Sequence, residues 1–247
     1  MKLKVLGTQS PYNIAGHNSP GFLITDGDEK LLLDCGSGSH SLLNFPRDLK
    51  NLVIFLTHLH RDHYNDIYNL QYASHVFHNQ GRLKNPITVY LPKTPASIYT
   101  DIIKEPNAYA EYYYLSHQYT LYIGDMRIYF MPTDHPVETY AVKVTDGKST
   151  IVYTSDTSFT VKDDMVKFAK GADLLICESS LLKRHGFPEI NSHLTAEQAA
   201  IIARDARVKM LMLTHFWPEE PVEDYEAEAK TVFDNVVTAR ESEEFII

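Results

Sequence analysis

Cysteine is scarce in this chain. Cys35 and Cys177 are its two cysteines, each inside an apolar, strand-like run and without a Cys-x-x-Cys partner. That argues against a disulfide scaffold and against thiolate metal ligands. Two buried, reduced thiols fit a cytoplasmic protein. Long hydrophobic runs are missing too. No apolar stretch approaches transmembrane length, so no membrane partner is expected, and residues 1–7 read as a short strand rather than a signal peptide. Positive charge is in deficit, with 23 Lys and Arg against 32 Asp and Glu and a net charge of −9. A large nonspecific nucleic-acid face needs clustered cations and is therefore not expected, although a local basic mouth stays open. No linker, low-complexity tract or charge block divides the chain. With 44% hydrophobic residues it can bury one sizeable core, and residues 1–247 read as a single domain.

Histidine, by contrast, is abundant, at twelve. Three of them, with an aspartate, fall in Thr57-His58-Leu59-His60-Arg61-Asp62-His63, directly after the apolar run Leu52-Val53-Ile54-Phe55-Leu56. On an extended backbone His58 and His60 point to one side, and Leu59 and Arg61 to the other. Asp62 and His63 come where the chain turns into a helix, so they reach the same point from a second direction. Solvated loop histidines with Asp62 as a helix cap would explain one such residue. Convergence of all four is how a metal site is built.

Elsewhere the pattern alternates strands and helices. Residues 2–6 predict a half-buried strand, and Asp26-Gly27-Asp28 between two apolar triplets predicts a hairpin. A short helix is expected to end near Pro46. Ile67, Leu70, Ser74 and Phe77 share one helix face, stopped by Gly81. Further helices are predicted over 94–104, with Pro95 in the first turn, over 161–170, over 195–206 with a Thr195/Gln198 capping box, and over 222–233. Strands are expected over 87–91, 126–131, 140–144, 150–154, 174–177 and 208–213, then as a terminal pair. The tyrosine-rich stretch 109–122 resists assignment. Such a mixture suits two sheets with helices on both outer faces. The strands end on further ligand-type residues: His135 in Asp134-His135-Pro136, Asp156 in Ser155-Asp156-Thr157, and His215 in Thr214-His215-Phe216. Singly, these also read as a turn histidine, a helix cap and a core histidine.

The His-x-His-x-Asp-His segment after an apolar strand, followed in order by His135, Asp156 and His215, resembles the metallo-β-lactamase-fold hydrolases. The resemblance implies an α/β (α+β) fold, a four-layer αββα sandwich. It also implies two metals: one on His58, His60 and His135, the other on Asp62, His63 and His215, with Asp156 bridging. Imidazole and carboxylate donors suit two Zn2+, and Mn2+ or Fe fit the same set. Two metals about 3.5–4 Å apart share a water, lower its pKa and supply hydroxide near neutral pH. Asp62 would help orient that nucleophile. An aspartate at the bridging position departs from the antibiotic-hydrolysing branch. His60, where oxygen-reducing relatives carry a carboxylate, favours zinc hydrolysis over iron redox work.

Ser192-His193-Leu194-Thr195 resembles the His-x-Thr segment of tRNase Z and related phosphodiesterases. There a histidine outside the metal shell protonates the departing alkoxide, which implies that role for His193; the alternative is a hydrogen bond to the helix start. In tRNase Z a long RNA-gripping arm separates the segments matching His135 and Asp156, whereas here only two short strands and a turn are expected. The implied substrate is thus a small or cyclic phosphodiester or a short nucleotide. The alternatives are a carboxylic ester, lactone or thioester hydrolase on the same metals, and a metal-stabilised binding protein without catalysis. Relatives suggest a homodimer. Lys183, Arg184 and His185 could meet a phosphate or form a solvated loop, His17 and Trp217 could face the metals or simply pack, and Tyr109, Tyr112, Tyr113 and Tyr114 could stack a base or form a dimer surface or core edge. Arg61 reads as structural, and the acids over 219–228 as a solvated helix face.

Overall fold

The computed structural model describes residues 1–118, 120–186 and 192–247; Tyr119, in the tyrosine-rich stretch, lies outside them. Strands β1 (Lys2–Gly7), β2 (Gly21–Asp26), β3 (Glu29–Leu33), β4 (Leu52–Phe55), β5 (Ile87–Leu91), β6 (Ala110–Tyr114) and β14 (Glu244–Ile246) form one sheet, in the order β14-β1-β2-β3-β4-β5-β6. Strands β7 (Leu121–Ile123), β8 (Met126–Pro132), β9 (Tyr140–Thr145), β10 (Thr150–Tyr153), β11 (Leu174–Glu178), β12 (Met210–Thr214) and β13 (Val236–Thr238) form the other, in the order β13-β12-β11-β10-β9-β8-β7. In each sheet half the ladder is antiparallel and half parallel: β3, β4, β5 and β6 run parallel, as do β10, β11, β12 and β13. The parallel strands therefore end together on one rim, where loops can converge.

The sheets are glued face to face by alternate side chains, as period-two burial requires. Phe22 packs on Tyr153 with ring centroids 5.2 Å apart, and Phe55 on Phe130 at 5.1 Å. Leu3, Val5 and Ile24 meet Ile128, Val142 and Ile176 in the same layer. Each fully buried side chain of this kind contributes roughly 1.5–3 kcal/mol before entropy is counted. The outer face of the first sheet is covered by α2 (Ile67–Asn79) and α3 (Ala96–Ile103). The outer face of the second is covered by α4 (Lys162–Phe168), α5 (Ala196–Ala206) and α6 (Val222–Lys230). The result is the four-layer αββα sandwich. In α5 the buried face is mostly alanine, which lets the helix lie close on β11 and β12. Its N-terminus carries the expected capping box, with Thr195 and Gln198 satisfying each other's backbone N–H.

Several expectations shift at element ends. The helix expected before Pro46 is a single 3-10 turn over Ser39–Leu42. Pro95 precedes α3 rather than sitting in its first turn. The tyrosine-rich stretch forms edge strand β6 and then β7. The last two strands do not pair with each other: β13 joins β12 and β14 joins β1, so the C-terminus ties both sheets. That division is set by long-range hydrogen bonding, to which local pattern is blind. No helix among the described residues is long and apolar enough to cross a membrane.

Candidate metal centre

The site begins where β4 stops. Thr57 is tied to the loop after β3: its N–H donates to Asp34 Oδ1 at 2.7 Å and its hydroxyl to Asp34 Oδ2 at 2.9 Å. That loop passes so close to the four-residue helix α1 (Arg61–Tyr64) that a Cβ on Gly36 would lie 2.0 Å from the Asp62 carbonyl oxygen. Glycine is thus required there for packing. Asp34, Ser155 and His215 all have positive φ, at 58°, 52° and 66°. They follow β3, β10 and β12 respectively. For non-glycine residues this conformation costs about 1–2 kcal/mol each, and its concentration on one rim marks a place where side-chain aim outweighs backbone comfort.

The structure brings together all seven residues expected as ligands. His58 Nε2 lies 3.1 Å from His60 Nδ1, which lies 3.0 Å from His135 Nε2. Nearby, His63 Nε2 and His215 Nε2 face each other at 3.1 Å, each 3.6 Å from Asp62 Oδ2. Asp156 stands between the two groups. Its Oδ2 is 3.6 Å from both His58 Nε2 and His135 Nε2, and its Oδ1 is 3.3 Å from His63 Nε2 and 3.1 Å from His215 Nε2. Asp156 does not cap the following 3-10 turn; the Ser158 side chain does, accepting from Thr160 N–H.

The nitrogens turned away from the centre are held by the protein. His63 Nδ1 is 2.8 Å from Asp34 Oδ2, His215 Nδ1 is 2.7 Å from Ser180 Oγ, and His135 Nδ1 is 3.2 Å from the Ser192 carbonyl. His58 Nδ1 lies 3.3 Å from Thr57 Oγ1 and 3.4 Å from Ser155 Oγ. Such partners fix ring orientation and direct the inner lone pair, as outer-shell partners of metal ligands do. Ser10 Oγ donates to Asp62 Oδ2 at 2.6 Å.

The electrostatics of the cluster suit a bound cation. Burial, with the charges of neighbouring imidazoles, holds His58 well below the usual histidine range, and burial lowers His60 and His135 as well. Burial pushes His63 and His215 down too, but Asp156 and Asp62 outweigh it: His63 is raised, and His215 is raised to about 10. Burial works to raise Asp62 and Asp156, and the facing imidazoles outweigh it and hold both below the usual carboxylate range. The carboxylates thus favour positive charge between the two rings that face each other. A divalent cation would supply the same positive charge and use the lone pairs instead. The buried Oδ1 of Asp156 makes no well-aligned hydrogen bond among the described residues, although His215 and His63 Nε2 lie 3.1 and 3.3 Å from it, which is costly unless another group binds it. Donor set, poorly satisfied oxygen and opposed lone pairs all fit divalent metal.

His193 lies beside this cluster, 27% exposed, with Nδ1 4.0 Å from Asp156 Oδ2. It does not hydrogen-bond the helix start; its Nδ1 is 3.0 Å from Glu178 Oε1. Glu178 ends β11, is fully buried, and also accepts from Thr157 N–H at 2.9 Å and Ser180 Oγ at 2.9 Å. Burial lowers the His193 pKa, but the Glu178 carboxylate outweighs it and the net shift is upward. Sequence reading missed Asp34, Glu178 and Ser180. The available signal was that both acids end apolar strands on the rim that carries the histidines.

The softer candidates fall outside the cluster. Lys183 Nζ binds Glu197 at 2.9 Å, and Arg184 binds Asp224 at 2.6 Å and also Glu220. His185 Nε2 is 2.8 Å from Glu220 Oε1, and its ring packs edge-on against Trp217. His17 is exposed and lies 3.4 Å from Glu241. Tyr109 stacks on His78 with centroids 3.7 Å apart, while Tyr113 and Tyr114 are exposed on β6. Arg61 is exposed, as its alternation away from the ligands requires.

An αββα sandwich with histidine and aspartate side chains gathered on the rim where its parallel strands end defines a metallo-hydrolase of the β-lactamase superfamily. The sequence match is direct: the family described as "Beta-lactamase superfamily domain" covers residues 29–216, and the chain belongs to it. The chain is 33% identical to the probable metallo-hydrolase YhfI of Bacillus subtilis, over 98% of both chains. The crystal structure of YhfI superposes with a TM-score of 0.89 at 30% identity, covering 99% of this chain and 98% of that one. Ribonuclease Z of Chlamydia trachomatis serovar L2 is 26% identical over 292 aligned positions, covering 97% of this chain and 95% of that protein. The short form of human tRNase Z has a TM-score of 0.79 at 22% identity, over 100% and 99% of the two chains, a likeness of fold.

Proposed function

We propose that this protein is a dinuclear-zinc phosphodiesterase acting on a small or cyclic phosphodiester or a short nucleotide. In this reading His58, His60 and His135 hold one ion, Asp62, His63 and His215 hold the other, and Asp156 bridges. The observation that carries the choice of phosphodiester is the His193–Glu178 pair beside Asp156. Cleavage of an alkyl phosphodiester expels a poor leaving group that needs a proton. With Nδ1 held by Glu178, whose carboxylate shifts the ring's pKa upward, His193 would present Nε2–H to the departing oxygen. Bound zinc would polarise the phosphoryl oxygen and acidify water. Asp62, anchored by Ser10 and held ionised, would orient that water.

Small size is supported by two features. Lys183 and Arg184, the cations expected to meet a phosphate, are paired with carboxylates and leave little to grip a polyanion. The alignment with ribonuclease Z runs over more positions than this chain has residues, so that enzyme carries additional segments. Between β8 and Asp156 this chain has only β9, β10 and their turn. We further infer a single domain over 1–247, because one inter-sheet core draws on both halves of the chain, and a reducing compartment, because both cysteines are free and buried.

The test is His193→Ala assayed on a cyclic mononucleotide and a dinucleotide, with zinc content measured alongside. Turnover should drop about 10²–10⁴-fold with two zinc ions per chain retained. Undiminished turnover, or preferential hydrolysis of lactones and thioesters, would replace this reading with the carboxylic ester hydrolase.

A further inference from the structure

We propose that a second ligand site, for a small molecule carrying two or more phosphate groups, lies on the rim opposite the metal centre. The loops that enter β3, β4 and β5 enclose a cleft of about 730 Å3. A cleft of that size matches small-molecule sites. It lies at the starts of the parallel strands whose far ends lead to Asp34 and His58. From Leu52 to His58 the chain advances roughly 20 Å, so the cleft is separate from the metal centre.

Its lining is unusual for this chain. Lys30, Arg47, Lys50, Arg82 and Lys84 surround it, with Asp28 the one carboxylate among them. The chain as a whole has an excess of acids, and several of its cations are paired with them: Lys162 with Asp205, Lys209 with Asp173 and Lys230 with Glu226. Arg47 pairs with neighbouring Asp48 at 2.9 Å. Among the described residues Lys30, Lys50, Arg82 and Lys84 make no ion pair. Like charges gathered around a concavity repel one another, and the concavity focuses their field.

Two of these cations are already positioned. Lys30 Nζ donates to the carbonyls of Asp28 at 3.1 Å and Lys50 at 3.0 Å. An ammonium has three donors, so one remains. The Arg82 guanidinium lies 4.8 Å above the Phe77 ring, and its Nη1 donates to Gln80 Oε1 at 3.3 Å. Other guanidinium N–H groups stay available for bidentate recognition of an oxyanion. Three neighbouring strand starts span about 10 Å, wider than a single phosphate, so a ligand with at least two anionic groups engages the cluster as a whole. An extended nucleic acid fits less well. The adjoining surface offers Lys2 and Lys4, but it also carries the Glu244 carboxylate, which pairs with Lys2 at 2.6 Å, and Lys4 donates to the Leu42 carbonyl at 2.6 Å.

Pyrene tetrasulfonate is a suitable probe, since it is a fluorescent polyanion whose sulfonates ligate metal poorly. Its anisotropy is followed on zinc-loaded wild type and on Lys50→Ala/Arg82→Ala/Lys84→Ala, all exposed positions. Pyrophosphate, ADP and a single-stranded DNA decamer serve as competitors. Binding at least about tenfold weaker in the triple variant, at unchanged melting temperature and ester turnover, with displacement by pyrophosphate or ADP, establishes the site. Stronger displacement by ADP assigns a nucleotide, and equal displacement assigns the diphosphate group alone. Equal probe affinity in both proteins overturns the proposal, as does a decamer that displaces the probe more tightly than either small anion.

Discussion

Asp34 reaches across from the end of β3 to place its Oδ2 2.8 Å from His63 Nδ1, and both side chains are wholly buried. The same carboxylate also accepts from Thr57 and from the Tyr153 hydroxyl at 3.0 Å. It therefore ties the histidine motif to strands of both sheets and sets which nitrogen of His63 faces inward. In Asp34→Asn one oxygen becomes an N–H2 donor facing groups that themselves donate. Zinc affinity, measured by competition with a chromophoric chelator, should fall about 10–100-fold. Wild-type affinity in this variant would show that His63 is oriented by packing alone.

Removing metal should destabilise the fold, because the ligand side chains come from loops of both sheets. Dialysis against a chelator leaves His63 Nε2 facing His215 Nε2 at 3.1 Å and Asp156 Oδ1 without a well-aligned hydrogen bond. A site saturated a thousandfold above its dissociation constant contributes about 4 kcal/mol. The melting temperature should drop on chelation and recover with zinc but not with magnesium, since imidazole donors disfavour the harder ion. A melting curve indifferent to chelator would contradict the site as drawn.

Glu138 makes stability depend on pH. Burial raises its pKa, but hydrogen bonds from the Tyr114 and Tyr140 hydroxyls, Thr94 Oγ1 and Lys93 N–H outweigh that and hold it below the usual glutamate range. A depressed carboxylate contributes stability above its unfolded pKa and loses it as pH falls through the folded value. Urea midpoints of the wild type should therefore decline from about pH 5 downward. Glu138→Gln should start lower at pH 7 and decline less. Parallel profiles would remove Glu138 from the acid response.

Neither cysteine should react in the native protein. Burial, reinforced by Asp66 and Asp34, pushes the Cys35 thiol up; burial, reinforced by Glu178, does the same to Cys177. At pH 8 a disulfide reagent should titrate almost no thiol until guanidinium is added, and then both. Fast labelling without denaturant would indicate local opening beneath α1 or α5.

Thr195→Ala removes half of the capping box ahead of α5. Denaturant unfolding should show a loss of about 1 kcal/mol. Because His193 is held by Glu178 rather than by the helix start, hydrolase activity per folded molecule should change little; a large drop would mean that the cap also positions His193.

Much of this arrangement was legible locally. Alternation along an extended segment places His58 and His60 on one side, and the turn into α1 brings Asp62 and His63 back to it. Period-two and helical patterns located most of the elements, and the capping box marked the start of α5. Their ends were less certain, as at Pro46 and Pro95, because a terminal turn is settled by what packs against it. The tyrosine-rich stretch resisted assignment because β6 and β7 are edge strands, with less burial to imprint a pattern.

The sequence by itself determined the donor chemistry: which imidazoles and carboxylates exist, and that each follows a strand able to carry it to a rim. Only the tertiary structure decided that Asp34 locks His63, that Glu178 rather than the helix start holds His193, that β13 and β14 part company, and that Lys30, Lys50, Arg82 and Lys84 gather around a cleft at the other rim. Those contacts join residues distant in the chain through the parallel pairing of strands and the stacking of two sheets. Their energy comes from burial and hydrogen bonding across that stack, which leaves no periodic trace in the local order of residues.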